Sequence, residues 1–279
     1  MDVLAVLCVR NEARRIANCL GHLADNGVHF AVIDHGSTDE TAALVRQPRF
    51  SPWLADFSSM PWTGEFHLGR QMDEKQRLID QLDAEWSIHL DADEIPHSRR
   101  DGESLADAVR RLAGDGCNTI DFDEFVFLPV DRDYQADAGS WQPMLHYYLF
   151  GTRTPRLLRA VKRGQGLSFA GTLGHAPQGG ERRCPDERLV LRHYLFDDQE
   201  HAFRKYVGRA FSAAELDQGV HRNRAGVDRD AYLFPPRDRL KRLSQPSSRD
   251  FDCGDRKPRH YWQWRWDGGA SRAAMDPST

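Results

Sequence analysis

The chain has 279 residues, 40% of them hydrophobic and 29% charged, which suits one large globular α/β domain with or without an appendage. No apolar run approaches the roughly 20 residues that span a bilayer, and five scattered cysteines without a Cys-x-x-Cys pair argue against a disulfide framework or a zinc site, so we expect a cytoplasmic protein. The net charge of -4 is unevenly distributed: residues 1–150 carry 13 Lys and Arg against 26 Asp and Glu, whereas residues 151–279 carry 25 Lys and Arg against 16 Asp and Glu. The basic second half suits an anionic substrate or membrane surface.

The first part of the chain alternates apolar strands with amphipathic helices. The predicted elements are a strand over 3–9, a helix over 13–25, a strand over 30–33, a helix that begins at a capping box of Ser37 and Glu40, a helix over 68–82 and a strand over 86–90. Residues 48–66 are rich in Pro, Ser and aromatic residues and predict a loop with one short strand. Strands and helices in this alternation predict a parallel sheet with right-handed crossovers.

The strand over 86–90 runs directly into three carboxylates, Asp91, Asp93 and Glu94. Ligands of α/β sheets bind beyond the carboxyl ends of the strands. Carboxylates this close together repel one another unless a cation neutralises them, and hard divalent cations prefer oxygen ligands. The pattern predicts an Asp-x-Asp site that holds Mg²⁺ or Mn²⁺ against a substrate phosphate, and a solvated acidic turn is the alternative.

Beyond Pro96 the pattern becomes less regular. The predicted elements are a helix over 104–112, a strand region over 119–130, strands over 147–150, 156–158 and 189–195, and a helix over 199–216, with glycine-rich loops over 164–166 and 171–180. After Ser244 the chain is rich in Pro, Ser and Arg, which predicts a partly mobile tail.

Three segments together resemble a known family. They are Val6-Leu7-Cys8-Val9-Arg10-Asn11-Glu12, Val32-Ile33-Asp34-His35-Gly36-Ser37-Thr38-Asp39-Glu40-Thr41 and Trp86-Ser87-Ile88-His89-Leu90-Asp91-Ala92-Asp93-Glu94. In order and spacing they are similar to the family 2 nucleotide-sugar glycosyltransferases with the GT-A fold, in the soluble branch without transmembrane helices. The resemblance is specific over residues 3–96 and weaker over 120–210, where Gly174-His175-Ala176-Pro177 and Arg192-His193-Tyr194 carry it.

The resemblance implies a GT-A fold, which is a Rossmann-like, mostly parallel sheet flanked by helices, with a C-terminal extension. The domain would span residues 1–243, with a nucleotide-binding half over 1–96 and an acceptor half over 97–243, followed by a tail over 244–279. The residues implied to bind a nucleoside-diphosphate sugar are Arg10, Asn11, Glu12, Asp34 and Asp91, and those implied to hold Mn²⁺ or Mg²⁺ are Asp91, Asp93 and His175. His35 departs from the family pattern, which has a second acidic residue there that contacts uracil, so the base stays open.

An inverting transfer needs a general base for the acceptor hydroxyl. Related enzymes place an Asp or Glu well beyond the metal motif, and Asp186 and Glu187 stand at about that distance. Glu124 lies near the end of a predicted strand, with Asp121 and Asp123 beside it. Asp186 and Glu124 are therefore the candidate catalytic residues. His193 is either a metal ligand or a structural histidine. The basic run of Arg153, Arg156, Arg159, Lys162 and Arg163 would meet phosphates or an anionic acceptor, or form a solvated hairpin.

The expected activity is metal-dependent transfer of a sugar from a nucleoside-diphosphate sugar to an acceptor hydroxyl, with inversion. By resemblance alone, the acceptor is a saccharide or lipid-linked saccharide of the bacterial surface, such as lipopolysaccharide, and the basic half would allow peripheral contact with the inner face of the membrane. The alternatives are a metal-dependent phosphohydrolase or nucleotidyltransferase and a non-catalytic nucleotide-sugar-binding protein. A nucleic-acid partner is not expected, because the first half is acidic and carries no recognised binding motif.

Overall fold

The computed structural model describes residues 1–114, 116–136, 141–151, 157–207, 209–221 and 224–264. Its α-helices are α1 (Ile16–Asp25), α2 (Thr41–Val45), α3 (Leu68–Gln81), α4 (Leu105–Ala113), α5 (Gln199–Tyr206) and α6 (Ala213–Asp217). Its strands are β1 (Val3–Val9), β2 (His29–Asp34), β3 (Leu54–Ser59), β4 (Trp86–Leu90), β5 (Glu94–His97), β6 (Thr119–Ile120), β7 (Phe122–Phe127), β8 (His146–Phe150), β9 (Ala160–Lys162), β10 (Leu167–Ser168), β11 (Gln178–Gly179), β12 (Leu189–His193) and β13 (Lys241–Arg242). None of the helices in this described part of the chain is long and apolar enough to cross a membrane.

The first sheet has six strands in the order β3-β2-β1-β4-β9-β6. Strands β3, β2, β1 and β4 are parallel, whereas β9 is antiparallel to β4 and β6 is antiparallel to β9. All residues of β1 are buried, as expected of a parallel strand with helices on both faces. The predicted parallel sheet is confirmed, and the short strand expected within residues 48–66 is β3.

Helices cover both faces of this sheet. Strand β1 sends its odd-numbered residues to one core, where they meet Ile16 and Leu20 of α1, and its even-numbered residues to the other, where they meet Met72 and Leu78 of α3. With both faces covered, the edge at the carboxyl ends of the parallel strands is the place where polar side chains can converge.

The second sheet has five strands in the order β13-β8-β7-β12-β5 and is mixed. Strand β5 begins at Glu94, so this sheet starts at the acidic motif that ends β4 of the first sheet. In its register, His193 of β12 lies opposite Glu94 of β5 on one side and Val126 of β7 on the other. The second sheet therefore brings the ends of β7 and β12 to the edge that carries the acidic motif.

The predicted capping box of Ser37 and Glu40 is wrong. Helix α2 begins at Thr41, and the Glu40 side chain makes no capping hydrogen bond. Two aspartates satisfy the backbone instead, because Asp34 accepts the Ser37 N–H at 3.3 Å and Asp39 accepts the Thr41 N–H at 3.0 Å. Short carboxylates bind nearby backbone donors readily and so determine where this helix starts.

The predicted helix over 199–216 is two helices, α5 and α6. Between them the backbone pairs with the segment before α3, since Phe66 N–H donates to the Ala210 carbonyl at 3.1 Å and Ser212 N–H donates to the Phe66 carbonyl at 3.2 Å. This tertiary pairing overrides local helix propensity. The predicted strand over 156–158 is displaced, because β9 begins at Ala160; residue 156 lies outside the described residues.

The described part of the predicted tail, residues 244–264, packs against the second sheet. Lys257 exchanges backbone hydrogen bonds with strand β8 and the turn after it, donating to the Leu149 carbonyl at 2.8 Å and accepting from Gly151 at 2.9 Å. Tyr261 and Trp262 are almost fully buried. The remainder of that predicted tail, residues 265–279, lies outside the described residues.

Candidate functional site

A cavity of about 420 Å³ opens beyond the carboxyl ends of the parallel strands. Arg10 follows β1, His35 follows β2 and Asp91 follows β4, and all three line it. The candidate residues from the sequence that line this cavity are Arg10, Glu12, Asp91, Asp93, Glu124, Arg159, His175 and His193. Asn11, Asp34 and Asp186 do not line it. The structure thus brings together most of the predicted site residues, from both halves of the chain.

Asp91 presents its carboxylate to the cavity from the end of β4. The side chain is 47% exposed, and Oδ1 lies 3.0 Å from Nζ of Lys75 on α3. Lys75 is buried and also donates to the Leu90 carbonyl at 2.7 Å and to Nδ1 of His89 at 2.8 Å. A buried cation therefore holds one oxygen of Asp91, while the exposed part of the carboxylate faces the place where a ligand would bind.

Asp93 is enclosed by cations. Its Oδ2 lies 2.7 Å from Nζ of Lys205 and 3.4 Å from the Arg15 guanidinium, and its Oδ1 lies 3.6 Å from Nε2 of His193. Burial opposes the charge of Asp93, but Lys205 and His193 outweigh burial and hold the pKa of Asp93 well below its ordinary value. A metal ion on Oδ2 would have to compete with Lys205.

His193 joins the acidic motif to the second sheet. Its Nδ1 donates to Oε1 of Glu124 at 2.7 Å, and its Nε2 faces Asp93. Burial alone would lower the pKa of His193, but the carboxylates of Asp93 and Glu124 raise it to about 10. The imidazole is therefore a cation at neutral pH, and it orients Glu124, which lines the cavity.

Glu94, the third carboxylate of the motif, shapes the turn that presents Asp91. It is fully buried, its Oε1 pairs with Arg159 at 2.6 Å, and its Oε2 accepts the backbone N–H of Asp91 at 2.9 Å. Burial raises the pKa of Glu94 to about 7 in spite of Arg159. Arg159, one of the basic run 153–163, therefore forms a buried ion pair inside the fold.

The wall of the cavity near β2 is aromatic and cationic. Arg10 stacks 4.2 Å from the ring centroid of Trp62 and donates to the His35 carbonyl at 3.0 Å. His35 is buried, and its Nδ1 lies 3.2 Å from the amide Nε2 of Gln71. Burial first, and Arg10 next, lower the pKa of His35. A neutral imidazole therefore stands where the family pattern has an acid.

Asn11 and Asp34 shape the loops around this wall. Asn11 has a φ of +55° and accepts the Thr38 N–H at 2.8 Å, which ties the end of β1 to the segment after β2. Asp34 binds the backbone of Ser37. Both predicted binding residues thus lie next to the cavity and bond to the protein backbone.

His175 reaches the cavity on an exposed loop. Gly174 before it has a φ of +74° and packs so closely that a Cβ would lie 2.5 Å from Nε2 of the buried His89. Leu173 beside it is half exposed and also lines the cavity. The loop over 171–175 therefore forms part of the rim above Asp91.

Asp186 lies at a second cavity, which is lined by Arg100, Arg111, Leu112, Cys117, Cys184, Pro185, Asp186 and Glu187. The structure does not bring it to the acidic motif. In the basic run, Lys162 pairs with Glu85 and Arg163 with Asp83 at the surface, while Arg153 and Arg156 lie outside the described residues.

Three cations of the site were not predicted from the sequence, namely Arg15, Lys75 and Lys205. One of them had a signal: Lys75 stands three and four residues before Leu78 and Ile79, in the apolar stripe of a predicted amphipathic helix. A lysine in a buried stripe requires a partner, because an unpaired buried charge is costly. Arg15 and Lys205 had no comparable signal, since their partners come from distant parts of the chain.

The donors around Asp91 suit a hard divalent cation in part. Within the described ranges, no three His, Cys, Asp or Glu side chains converge as ligands of one ion. Mg²⁺ commonly takes one or two carboxylates and completes its shell with water and substrate phosphates, and the exposed carboxylate of Asp91 fits that arrangement. Asp93 fits it less well because protein cations enclose it. The metal ligands named from the sequence stay a prediction, with Asp91 favoured by geometry.

Comparison with known proteins shows homology to glycosyltransferases, although no protein-family model matches the chain. Over 226 residues it is 27% identical to the lipopolysaccharide core biosynthesis glycosyltransferase LpsC of Rhizobium meliloti (strain 1021), covering 77% of this chain and 70% of that one. Over 120 residues it is 25% identical to the SPbeta prophage-derived glycosyltransferase SunS of Bacillus subtilis (strain 168), covering 40% of this chain and 25% of SunS. The relationship to glycosyltransferases predicted from the motifs is confirmed.

Among solved structures, S. aureus TarS 1-349 in complex with UDP is similar with a TM-score of 0.45 and 13% identity, over 86% of this chain and 77% of that one. A similarity this low carries no argument about function.

Proposed function

We propose that this glycosyltransferase homologue moves a sugar from a nucleoside-diphosphate sugar to an acceptor hydroxyl, with inversion and with help from Mn²⁺ or Mg²⁺. The observation that supports this most directly is the cavity itself. It lies at the carboxyl ends of β1 and β4, it has the size of a small-ligand site, and the carboxylates Asp91 and Glu124 from two sheets line it.

Asp91 is the proposed link to the leaving diphosphate. Its exposed carboxylate would hold the divalent ion, which when bound neutralises charge that builds up on the departing phosphates. Lys75 keeps Asp91 ionised and fixed in direction, and Lys205 and Arg15 do the same for Asp93. Arg10 and Trp62 offer a stacking wall for the base.

Glu124 is the proposed general base. It would take the proton of the acceptor hydroxyl while that oxygen attacks the anomeric carbon from the face opposite the diphosphate. The His193 imidazolium, 2.7 Å away, would hold the Glu124 carboxylate oriented toward the cavity. Asp186 is not assigned this role, because it lines a different cavity.

For the acceptor we propose a bacterial surface saccharide, free or lipid-linked. The support is the similarity to LpsC, whose name places it in lipopolysaccharide core biosynthesis. Peripheral contact with a membrane, suggested by the basic second half, stays a prediction.

Titration calorimetry with UDP, GDP and dTDP, with and without Mn²⁺, tests the donor site. We expect one nucleotide to bind in a metal-dependent manner and Asp91→Asn to weaken it by roughly tenfold or more, because a charged ligand group is lost. Asp186→Asn is the matched control and should bind like the wild type. If the folded wild type binds none of the nucleotides, the proposal fails.

Glu124→Gln tests the base. Once a donor and acceptor are known, we expect kcat to fall by about 10²- to 10⁴-fold, the usual contribution of general base catalysis, while nucleotide affinity stays near the wild-type value. An unchanged kcat would remove Glu124 from the mechanism and leave the base unassigned.

A further inference from the structure

A second group of basic side chains lines the same cavity, on the segment that follows α5. It consists of Arg209, His221 and Arg224, called here the cationic cluster. The two guanidinium groups carry its charge, because burial, Arg224 and Arg209 lower the pKa of His221 to about 4. Glu215 of α6 fixes this segment to the beginning of α3, because its carboxylate accepts the first two backbone N–H groups of that helix at 3.1 and 2.7 Å. The fold therefore holds the cationic cluster at the cavity.

Aromatic rings support the cluster. The Arg209 guanidinium lies 4.1 Å from the ring centroid of Phe66, and the Arg224 guanidinium lies 5.1 Å from that of Tyr206. The His221 imidazole lies 5.3 Å from the Phe66 ring. A guanidinium that stacks by its face keeps its N–H groups, which lie in the plane, directed to the side.

Arg209 and Arg224 differ from Arg159, Lys75 and Lys205 in their partners. Arg159, Lys75 and Lys205 each pair with a carboxylate at 2.6 to 3.0 Å. In the described part of the chain, no carboxylate pairs with Arg209 or Arg224. Arg209 and Arg224 therefore bring positive charge to the cavity without a direct ion pair to a described carboxylate.

Two polar atoms of the cluster are also unsatisfied. The donor Nε of Arg224, and Nε2 of His221, which donates or accepts according to the tautomer, are buried and have no hydrogen-bond partner among the described residues. Burial would raise the pKa of Tyr206, but Arg224, Lys205 and Arg209 outweigh burial and lower it, which reflects the positive surroundings. A buried donor without an acceptor costs free energy, so Nε–H of Arg224 favours a ligand that brings acceptor oxygens.

We propose that the cationic cluster binds a phosphate group of a substrate. Phosphate supplies negative charge and several acceptor oxygens, which match the fork of guanidinium N–H groups. The identity of that substrate rests on the proposed function, because both the diphosphate of the donor and a phosphorylated saccharide acceptor would bring such a group into this cavity.

Titration calorimetry with inorganic pyrophosphate, without divalent metal, tests the cluster on the whole chain. The variants are Arg209→Gln and Arg224→Gln, and the control is Arg77→Gln on the exposed surface of α3. We expect each cluster variant to bind pyrophosphate roughly tenfold more weakly or worse, as loss of a charge-assisted hydrogen bond predicts, and the control to stay within about twofold of the wild type. Arg224→Lys, which keeps charge without the fork, should fall between, and thermal unfolding checks that every variant is folded.

Equal affinities in the wild type, the cluster variants and the control would overturn the proposal, as would a folded wild type that does not bind pyrophosphate. Repeating the pyrophosphate titration in the presence of a saturating nucleoside diphosphate distinguishes the donor diphosphate from a phosphate of the acceptor. Displacement of pyrophosphate assigns the cluster to the donor diphosphate, and simultaneous binding assigns it to a phosphate of the acceptor. If UDP, GDP and dTDP all fail to bind while the cluster variants still lose pyrophosphate, the phosphate site stands and the proposed function fails.

Discussion

Two aspartates that are separated by a single residue have opposite surroundings in this protein. Asp91 meets one cation and remains half exposed, whereas Asp93 is buried among Lys205, Arg15 and His193. Asp91 is therefore suited to binding a ligand, whereas Asp93 holds together the two sheets and two helices around it.

Gly174, in the loop at the rim of the cavity, has no room for a side chain. A Cβ there would lie 2.5 Å from His89 Nε2 and 3.0 Å from Met72 Sδ, at a φ of +74°. We expect Gly174→Ala to lower the free energy of unfolding by about 2–4 kcal/mol, because strain and a buried clash add. Gly164→Ala is the control, since it has the same φ and nothing within 4 Å, and should lose only about 1–2 kcal/mol. Urea unfolding measures both, and equal losses would mean that the His89 contact does not hold the loop.

At the scale of elements, ion pairs tie helix α4 to the segment that contains Asp186. Arg111 of α4 lies 2.7 Å from a Glu103 oxygen and 2.6 Å from a Glu187 oxygen. Hydrogen bonds, above all from Arg111, lower the pKa of Glu103 to about 2 from an ordinary value of 4.5. The surroundings of Asp186 are therefore those of a structural network.

This network predicts a contribution to stability that acid removes. Because the pKa of Glu103 is lower in the folded state, its contribution is present above pH 4.5 and disappears as pH falls toward about 2. We expect Glu103→Gln to cost on the order of 2 kcal/mol at pH 7 and to equal the wild type near pH 2. Urea unfolding across this pH range measures the difference, with Glu40→Gln as the control. A loss that does not vary with pH would contradict the prediction.

The elements that could be predicted are those whose apolar residues recur at a regular spacing. Strand β1 and helix α3 have such a spacing, and the three sequence motifs located the acidic edge of the sheet. Strands β6, β9, β10, β11 and β13 are only two or three residues long, too short for a periodic signal, and their neighbours in the sheets determine them. The partners of Asp93 could not be predicted either, because Lys205 is 112 residues away in the sequence.

At the scale of the whole molecule, the last described residues complete a hydrophobic core against the second sheet, where Val126 of β7 and Tyr148 of β8 are also buried. Trp262 is almost fully buried and packs 5.6 Å from Tyr206 and 5.5 Å from Tyr232, measured between ring centroids. We expect Trp262→Ala to lower the free energy of unfolding by about 3–5 kcal/mol through the cavity it leaves. Leu233→Ala, at a side chain that is 40% exposed, is the control and should change stability by about 0.5 kcal/mol or less. Equal effects in denaturant unfolding would mean that this segment does not stabilise the domain.

The ion pairs of Arg15 join parts of the chain that are synthesised at different times. Arg15 is almost fully buried immediately before α1, yet the carboxylate of Asp197 that it binds at 2.8 Å lies 182 residues later in the chain. During synthesis on the ribosome, the strands around α1 emerge long before Asp197 exists. Until then the guanidinium has only the longer ion pairs to Asp93 at 3.4 Å and Glu12 at 3.8 Å, and it lacks its shortest one. We therefore expect the surroundings of Arg15 in the nascent first half to stay less tightly packed until the residues before α5 arrive. Arg15 also contacts Asp93, so the acidic motif would reach its final packing in the same late step.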